Sequence, residues 1–185
     1  MYVPRWQSEP LARRAVARLS PRGIAIDLCT GSGGVAMTLR AERPNARVVA
    51  SEVDERAAAC AESNGVDVHR GDLFAPLPRD LEGRVDVIVS VAPYVPTAMM
   101  ALLPRDTFTF ETTLSYDGGE DGTDVLRRIV NTSPRFLRRG GALLLELGGE
   151  EANVLESELA RCGFTVVTTL LDKDGDVRGV EATFK

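Results

Sequence analysis

From residue 24 onward, short apolar runs alternate with helical stretches, and this alternation constrains the fold more than any other feature of the chain. Helices are predicted between the first six strands, with residues 34–42 and 150–161 as the clearest examples. Strands that alternate with helices in this way form a right-handed, mainly parallel, doubly wound sheet. The apolar runs predict seven strands, at residues 24–28, 47–52, 66–70, 85–90, 142–147, 164–171 and 177–184.

Several short signals mark where the elements begin and end. Asp54 is a typical N-cap for a following helix, and Asn64-Gly65 is a typical helix stop. Two arginines and two glycines at 138–141 predict the end of a helix that runs through residues 125–130. Asp174-Gly175 predicts a hairpin between the last two strands. The predicted fold is therefore one Rossmann-like α/β sheet of seven strands, mostly parallel, with an antiparallel strand from the C-terminal hairpin.

Size and charge bound the possible classes of protein. The 185 residues carry 27 acidic and 22 basic side chains, which gives a formal net charge of −5. This length fits one domain over residues 1–185, with residues 1–23 as a helical lead-in. No apolar run approaches the roughly 20 residues of a membrane span, and the first residues lack a signal peptide's apolar stretch. We therefore expect a soluble, cytoplasmic protein, and the acidic charge argues against nucleic acid as a partner.

Histidine and cysteine usage excludes the common metal sites. His69 is the single histidine, so a zinc motif with paired histidines cannot form. Cys29, Cys60 and Cys162 are widely spaced, and none belongs to a Cys-x-x-Cys pair. No metal site is expected, and the thiols are expected to be reduced.

Glycines and acids follow the strands at the edge of the sheet where ligands bind in doubly wound folds. Gly31 and Gly33 allow a tight turn after the first strand and a close approach to a ligand. Glu52 ends the second strand, where a carboxylate can accept hydrogen bonds from both hydroxyls of a ribose. Together with Ala36, these residues also fit a dinucleotide fingerprint, which leaves a dehydrogenase as an alternative.

Two further acids favour a different ligand. Asp27 precedes the glycine loop, where its charge suits a cationic amino group and would repel a pyrophosphate. Asp72, followed by Leu73 and Phe74, places an acid and an apolar wall where an adenine could be held. Amino acid, ribose and adenine in that order describe S-adenosylmethionine. Taken singly, Asp72 could equally be a turn cap.

The motifs around these residues resemble a known enzyme family. Asp-Leu-Cys-Thr-Gly-Ser-Gly from Asp27, Gly-Asp-Leu-Phe from Gly71 and the segment 86–96 are similar to the HemK/PrmC family of protein-glutamine N5-methyltransferases, which modify peptide-release factors. The resemblance continues through Leu-Glu-Leu-Gly at 145–148 and covers nearly the whole chain. It implies the class I methyltransferase fold, S-adenosylmethionine as cofactor and a release-factor-like protein as partner. The helical docking domain that full-length bacterial members carry in front is expected to be absent here.

The resemblance also implies site residues. In the family, an Asn-Pro-Pro-Tyr loop after the fourth strand holds the acceptor amide, so the matching loop here is expected to position the acceptor. Most members have a glycine at the position of Cys29. A thiol is therefore not needed there, and Cys29 is expected to be a small packed side chain rather than a nucleophile. The implied acceptor loop is Val91, Ala92, Pro93 and Tyr94, and the implied cofactor-binding residues are Asp27, Cys29, Thr30, Gly31, Gly33, Glu52, Val53, Asp72 and Leu73.

The acceptor loop departs from the family pattern at its first position. Val91 stands where the family has an asparagine that accepts an amide hydrogen, and a valine side chain cannot accept one. Three interpretations stay open: a glutamine methyltransferase that tolerates the loss, a methyltransferase for a small-molecule hydroxyl, amine or carboxylate, and a non-catalytic S-adenosylmethionine-binding subunit. A partner subunit could replace the docking domain. Four aromatic residues favour a shaped acceptor pocket: Tyr94, Phe108, Phe110 and Tyr116.

Overall fold

Seven strands and five α-helices make up the part of the chain that the computed structural model describes, residues 6–103, 108 and 111–185. None of these helices is long and apolar enough to cross a membrane. The helices are α1 (Glu9–Arg18), α2 (Gly34–Glu42), α3 (Glu55–Ser63), α4 (Asp124–Phe136) and α5 (Gly149–Arg161). The strands are β1 (Ile24–Leu28), β2 (Arg47–Glu52), β3 (Val68–Arg70), β4 (Val85–Ser90), β5 (Leu137–Glu146), β6 (Phe164–Leu171) and β7 (Val177–Phe184).

The strands form one sheet in the order β3-β2-β1-β4-β5-β7-β6. β1 pairs in parallel with β2 and β4, and β4 pairs in parallel with β5. β7 runs antiparallel to both of its neighbours, β5 and β6. The predicted fold class is therefore confirmed. The strand order reverses between β1 and β4, which is where doubly wound sheets bind their ligands.

Both faces of the sheet are buried, as the unbroken apolar runs predict. Along β4, Ile88 packs into a core on one face, while Val87 and Val89 pack into a second core on the other. Helix α1, in the predicted lead-in segment, contributes Leu11 and Ala15 to the second core. The sheet is thus rigid at its centre, and its strand ends give fixed positions to the side chains that follow them.

The predicted end of a helix at residues 138–141 is wrong. Helix α4 ends at Phe136, and β5 begins at the next residue with a register shift against β4. The Arg138 guanidinium donates to Asp86 at 3.0 Å, and a Cβ on Gly141 would lie 2.8 Å from the Val85 carbonyl oxygen. The segment is therefore held against β4 as an irregular part of the strand.

The connection from α3 to β4 also differs from the prediction. β3 is shorter than residues 66–70, because the Val66 amide donates to the Ala61 carbonyl at 3.0 Å and closes the end of α3. Between β3 and β4 the described chain forms only a short 3-10 helix, Arg79–Leu81, instead of a crossover α-helix. Pro76 and Pro78 interrupt the backbone hydrogen bonding that a longer helix would need.

Candidate functional site

A cavity of about 300 Å³, the main cavity, opens beyond the carboxyl ends of β1, β2, β3 and β4. Its position at the reversal of strand order matches the edge where the sequence predicts a ligand. Its walls bring together residues that the sequence predicts to act together although they are distant along the chain. Those predicted residues are Cys29, Gly31, Glu52, Val53, Asp72, Leu73, Val91 and Pro93.

Glu52 is the most firmly held polar side chain of the main cavity. One carboxylate oxygen, Oε2, accepts a hydrogen bond from the Gly31 amide at 2.8 Å. The other, Oε1, accepts from the amides of Val53 and Asp54, both at 2.9 Å. A carboxylate accepts about four hydrogen bonds, so these three contacts fix its orientation and leave acceptor capacity toward the cavity. The geometry therefore leaves one acceptor position for a ribose hydroxyl, where the sequence predicts contacts with both.

The glycine loop between β1 and α2 depends on positive φ angles. Gly31 has a φ of +58° and Gly33 a φ of +90°, both in the region that favours glycine. A Cβ on Gly33 would lie 2.7 Å from the Val66 Cγ2 atom and 3.3 Å from the Ala61 Cβ atom. The loop can therefore run close to the end of α3 only because no side chain is present at residue 33.

We expect Gly33→Ala to lower the free energy of unfolding by about 3 kcal/mol, because the strained φ and the overpacking against Val66 add together. Gly175 is the matched control, since its φ is +87° and no atom would lie within 4 Å of a Cβ placed there. Gly175→Ala should cost only about 1 kcal/mol. Urea unfolding of both variants measures the difference, and equal costs would show that the contact with Val66 contributes nothing.

Asp27 lies beneath the glycine loop. Its side chain is 1% exposed, and its Oδ2 atom accepts hydrogen bonds from the Thr30 hydroxyl at 2.6 Å and the Ala36 amide at 3.0 Å. Asp27 and Thr30 border a separate small cavity of about 40 Å³, which shares Cys29, Gly31 and Val91 with the main cavity. Asp27 therefore holds the glycine loop directly. Its carboxyl group borders the small cavity and not the main cavity, so a ligand in the main cavity can contact it only by extending into the small cavity.

Burial raises the pKa of Asp27 from 3.8 to about 7, against the opposing effect of the Thr30 and Ala36 hydrogen bonds. Between about pH 4 and 7, the folded protein therefore keeps a proton on Asp27 that the unfolded chain has already lost. Stability is expected to fall through this window as pH rises, by at most about 1.4 kcal/mol per pH unit, and to level off above pH 7. Urea unfolding between pH 4 and 8, compared with Asp27→Asn, isolates this contribution. Parallel profiles for the two proteins would contradict it.

Asp72 and Leu73 form the wall of the main cavity that follows β3. The Asp72 carboxylate makes an ion pair with Arg128, which also borders the cavity and which the sequence analysis missed. Leu73 has a φ of +48° and is buried. Phe74 instead points into the core, where its ring stacks on Phe136 with centroids 4.8 Å apart. The apolar wall is therefore made by Leu73 without Phe74.

Cys29 has the environment of a packed side chain. Its φ of +56° is unusual for a residue other than glycine. Burial, with a further contribution from the charge of Glu52, raises the pKa of its thiol to about 12. Because the thiolate is the nucleophilic form, this thiol is poorly reactive at neutral pH. Among the described residues, no group of three or more histidine, cysteine or acidic side chains could hold a metal ion.

The loop at 91–94 separates the main cavity from a second one of about 190 Å³, the side cavity. Val91 borders both cavities, Pro93 borders the main cavity, and Ala92 and Tyr94 border the side cavity. The remaining polar and aromatic residues of the side cavity are Gln7, Ser115, Tyr116, Glu146 and Arg178.

Two of the four predicted aromatic residues line the side cavity, and a third contacts one of them. Tyr94 and Tyr116 both line it, as the sequence predicts for a shaped pocket. The Phe108 ring packs edge-on against Tyr116 with centroids 5.9 Å apart, so it contacts one wall residue of the side cavity. Phe110 lies outside the described residues.

Glu146 and Arg178 are residues of the side cavity that the sequence analysis did not assign. A signal for Glu146 was present, because it is the single acid in the apolar run of β5 and stands at that strand's carboxyl end. Arg178 carried no such signal, because it reaches the cavity from the antiparallel hairpin.

Known proteins identify the family. Over 190 residues, the chain is 37% identical to the release factor glutamine methyltransferase of Mycolicibacterium smegmatis, a match that covers 99% of this chain and 67% of that protein. The chain belongs to the release factor glutamine methyltransferase family. This confirms the resemblance drawn from the motifs. The chain spans 62 to 67% of the length of three of the release factor glutamine methyltransferases that it matches.

A solved structure and a second kind of methyltransferase are also similar to this chain. The solved structure of a release-factor-specific protein-(glutamine-N5) methyltransferase from Alicyclobacillus acidocaldarius superimposes with a TM-score of 0.60 at 25% identity, covering 99% of this chain and 94% of that one. A 4-amino-L-phenylalanine/4-methylamino-L-phenylalanine methyltransferase from Streptomyces pristinaespiralis is 35% identical over 80% of this chain and 54% of its own length. No protein-family model matches the sequence.

Proposed function

We propose that this chain is an S-adenosylmethionine-dependent methyltransferase whose acceptor is a protein glutamine of the kind found in release factors. The observation that carries the proposal is the main cavity, in which three backbone amides orient Glu52 and which Val91 and Pro93 of the loop at 91–94 also border. The family membership supports the same activity, and the free thiols of Cys29, Cys60 and Cys162 fit the reducing cytoplasm that we propose as its location.

All of the predicted cofactor-binding residues except Cys29 have a role in holding the methyl donor. In this proposal Glu52 accepts a hydrogen bond from a ribose hydroxyl through its remaining acceptor position, and Asp72 accepts one from the adenine amino group. Leu73 and Val53 cover the adenine ring, since both border the main cavity. Asp27, through the small cavity, attracts the cationic amino group, and Thr30, Gly31 and Gly33 keep the loop in place.

The proposed chemistry needs positioning more than acid or base groups. Bound S-adenosylmethionine supplies a methyl group on a sulfonium sulfur, and transfer to nitrogen releases the thioether and one proton. The chain's task is to hold the acceptor nitrogen in line with that methyl group. Val91 borders both cavities, so the acceptor would approach past it from the side cavity. We propose that residues 1–185 act as one domain in this reaction, without nucleic acid as a partner.

Transfer of labelled methyl from S-adenosylmethionine to a purified bacterial release factor tests the proposal. Asp27→Ala serves as the blank, and label on a glutamine above the blank is the expected result. Calorimetric titration with S-adenosylmethionine is run alongside, and absence of binding to the folded protein would overturn the proposal.

A free amine is the second candidate acceptor. It is favoured by Val91, which cannot clamp an amide as the family asparagine does, and by the similarity to an aminophenylalanine methyltransferase. Label in the small-molecule fraction of a host lysate would support it. Donor binding without any transfer would favour the non-catalytic subunit or the need for a partner subunit.

A further inference from the structure

Four acidic side chains border the main cavity: Glu52, Asp54, Asp72 and Asp117. Backbone amides hold three of them. Glu52 accepts hydrogen bonds from three amides, Asp54 from two and Asp117 from one. Because the fold fixes the backbone, these three carboxylates have fixed directions before any ligand binds.

Asp72 is held in a different way. Among the described residues, no backbone amide donates to its carboxylate, and its Oδ2 atom accepts a hydrogen bond from the Arg128 guanidinium. This contact leaves the Oδ1 atom available to a ligand. Both side chains are about half exposed, so without the contact the Asp72 side chain could turn into solvent. The direction of Asp72 therefore depends on a side chain 56 positions further along the chain.

The charge of Arg128 does not by itself suit the proposed ligand. Arg128 is the only lysine or arginine among the described residues that border the main cavity. S-adenosylmethionine carries two cationic groups, the sulfonium and the ammonium, and one carboxylate. A free cation on the wall would oppose the binding of such a ligand, whereas a cation paired with Asp72 is neutralised. The pairing with Asp72 therefore gives Arg128 a place in this site that its charge alone does not.

The ion pair joins two walls of the main cavity. Arg128 lies in α4, and Asp72 follows β3. Val125, one helical turn before Arg128, also borders the cavity, and so does Leu73, next to Asp72. The ion pair therefore lies beside the apolar wall on which the adenine ring is proposed to pack.

We infer that Arg128 is a positioning residue for recognition of the adenine amino group, because it fixes the direction of Asp72. This inference rests on the proposed methyltransferase function and names a residue that controls its donor specificity. Asp72 accepts the hydrogen bond from the amino group through Oδ1, while Arg128 holds Oδ2. Without Arg128 the carboxylate can turn away, and the cavity no longer distinguishes a purine with a 6-amino group from one without it.

Binding of two ligands that differ only in the amino group tests the inference. They are S-adenosylhomocysteine and its 6-deamino analogue, in which a hydrogen atom replaces the amino group of the purine. Calorimetric titration of the full chain gives both dissociation constants, and their ratio measures recognition of the amino group. For the unaltered chain we expect the analogue to bind about tenfold more weakly or worse, because it lacks a hydrogen bond to a charged acceptor.

Arg128→Met is the variant, because methionine keeps an unbranched aliphatic side chain without charge or donors. An exposed ion pair contributes little to stability, so the variant should fold. It should weaken binding of S-adenosylhomocysteine and leave binding of the analogue nearly unchanged, so that the ratio falls to about threefold or less. Arg128→Lys keeps a cationic donor and should restore part of the ratio.

Arg135→Met is the matched control. Arg135 lies in the same helix, is similarly exposed and forms an ion pair with Glu82, but it does not border the main cavity. This substitution should leave both dissociation constants within about twofold. A loss of the ratio in Arg135→Met as well would show that any lost ion pair of α4 has the same effect.

A double substitution shows whether Arg128 acts through Asp72. Asp72→Ala should remove recognition of the amino group, and adding Arg128→Met should then lower the ratio no further. A general role of Arg128 in folding would instead weaken both ligands alike and leave the ratio unchanged.

The outcomes separate the inference from the proposed function. An unchanged ratio in Arg128→Met, an equal loss in Arg135→Met, or a ratio near one in the unaltered chain would each overturn the inference. If Arg128→Met fails to fold, Arg128→Ala takes its place. Failure of the unaltered chain to bind S-adenosylmethionine would overturn the proposed function instead.

Discussion

Glu52→Gln is expected to weaken binding of S-adenosylmethionine about ten- to a hundredfold, because a hydrogen bond from a ribose hydroxyl to a charged acceptor contributes about 1.5 to 3 kcal/mol. The substitution keeps the size of the side chain but replaces one acceptor oxygen by an amide donor. That donor would face the Gly31 amide or the amides of Val53 and Asp54, all of which need an acceptor. Calorimetric titration of the folded variant gives the dissociation constant.

Glu55→Gln is the matched control for this prediction, because Glu55 is exposed in the first turn of α3 and does not border the main cavity. It should leave the affinity within about twofold. Circular dichroism and thermal unfolding confirm that both variants are folded. An unchanged affinity in Glu52→Gln would remove the main cavity as the donor site.

Val91→Asn is expected to raise methylation of a release-factor glutamine by about ten- to a hundredfold. The asparagine restores an acceptor for one amide hydrogen, and a buried amide hydrogen without a partner costs about 1 to 3 kcal/mol. The gain applies to the rate only where the contact is stronger in the transition state than in the bound acceptor. Initial rates of label transfer at saturating S-adenosylmethionine measure it.

Val91→Leu separates hydrogen bonding from shape, because leucine has the branched shape of asparagine without an amide group. It should not raise the rate. Equal rates for the asparagine and leucine variants, with donor binding retained, would mean that the side cavity has lost its fit for glutamine. A free amine such as 4-amino-L-phenylalanine would then become the first acceptor to test.

Most of the sheet was predictable because its signals are local. The apolar runs of β1, β2, β4, β6 and β7 coincide with the observed strands, and Asp54 caps α3 by accepting hydrogen bonds from two backbone amides. The predictions failed where a distant contact overrides the local pattern. The pairing of Arg138 with Asp86 spans 52 residues, and it turns a predicted helix end into part of β5.

The candidate site also has features that the sequence predicts and features that it does not. The positions of Gly31, Glu52, Asp72 and Val91 at strand ends follow from the alternation of strands and helices, because parallel strands bring their carboxyl ends to one edge. Sequence motifs alone also identified the family. Both the strand-end positions and the family motifs depend only on the order of residues along the chain, so they can be read without the tertiary structure.

Only the tertiary structure decided which of these side chains face the same space. It placed Asp27 beneath the glycine loop, paired Asp72 with Arg128, and brought Glu146 and Arg178 to a side cavity next to Val91. The contacts of Asp72 with Arg128 and of Tyr94 with Glu146 join residues 56 and 52 positions apart. Such contacts depend on strand register and on how the loops pack over the sheet, and no local pattern encodes either.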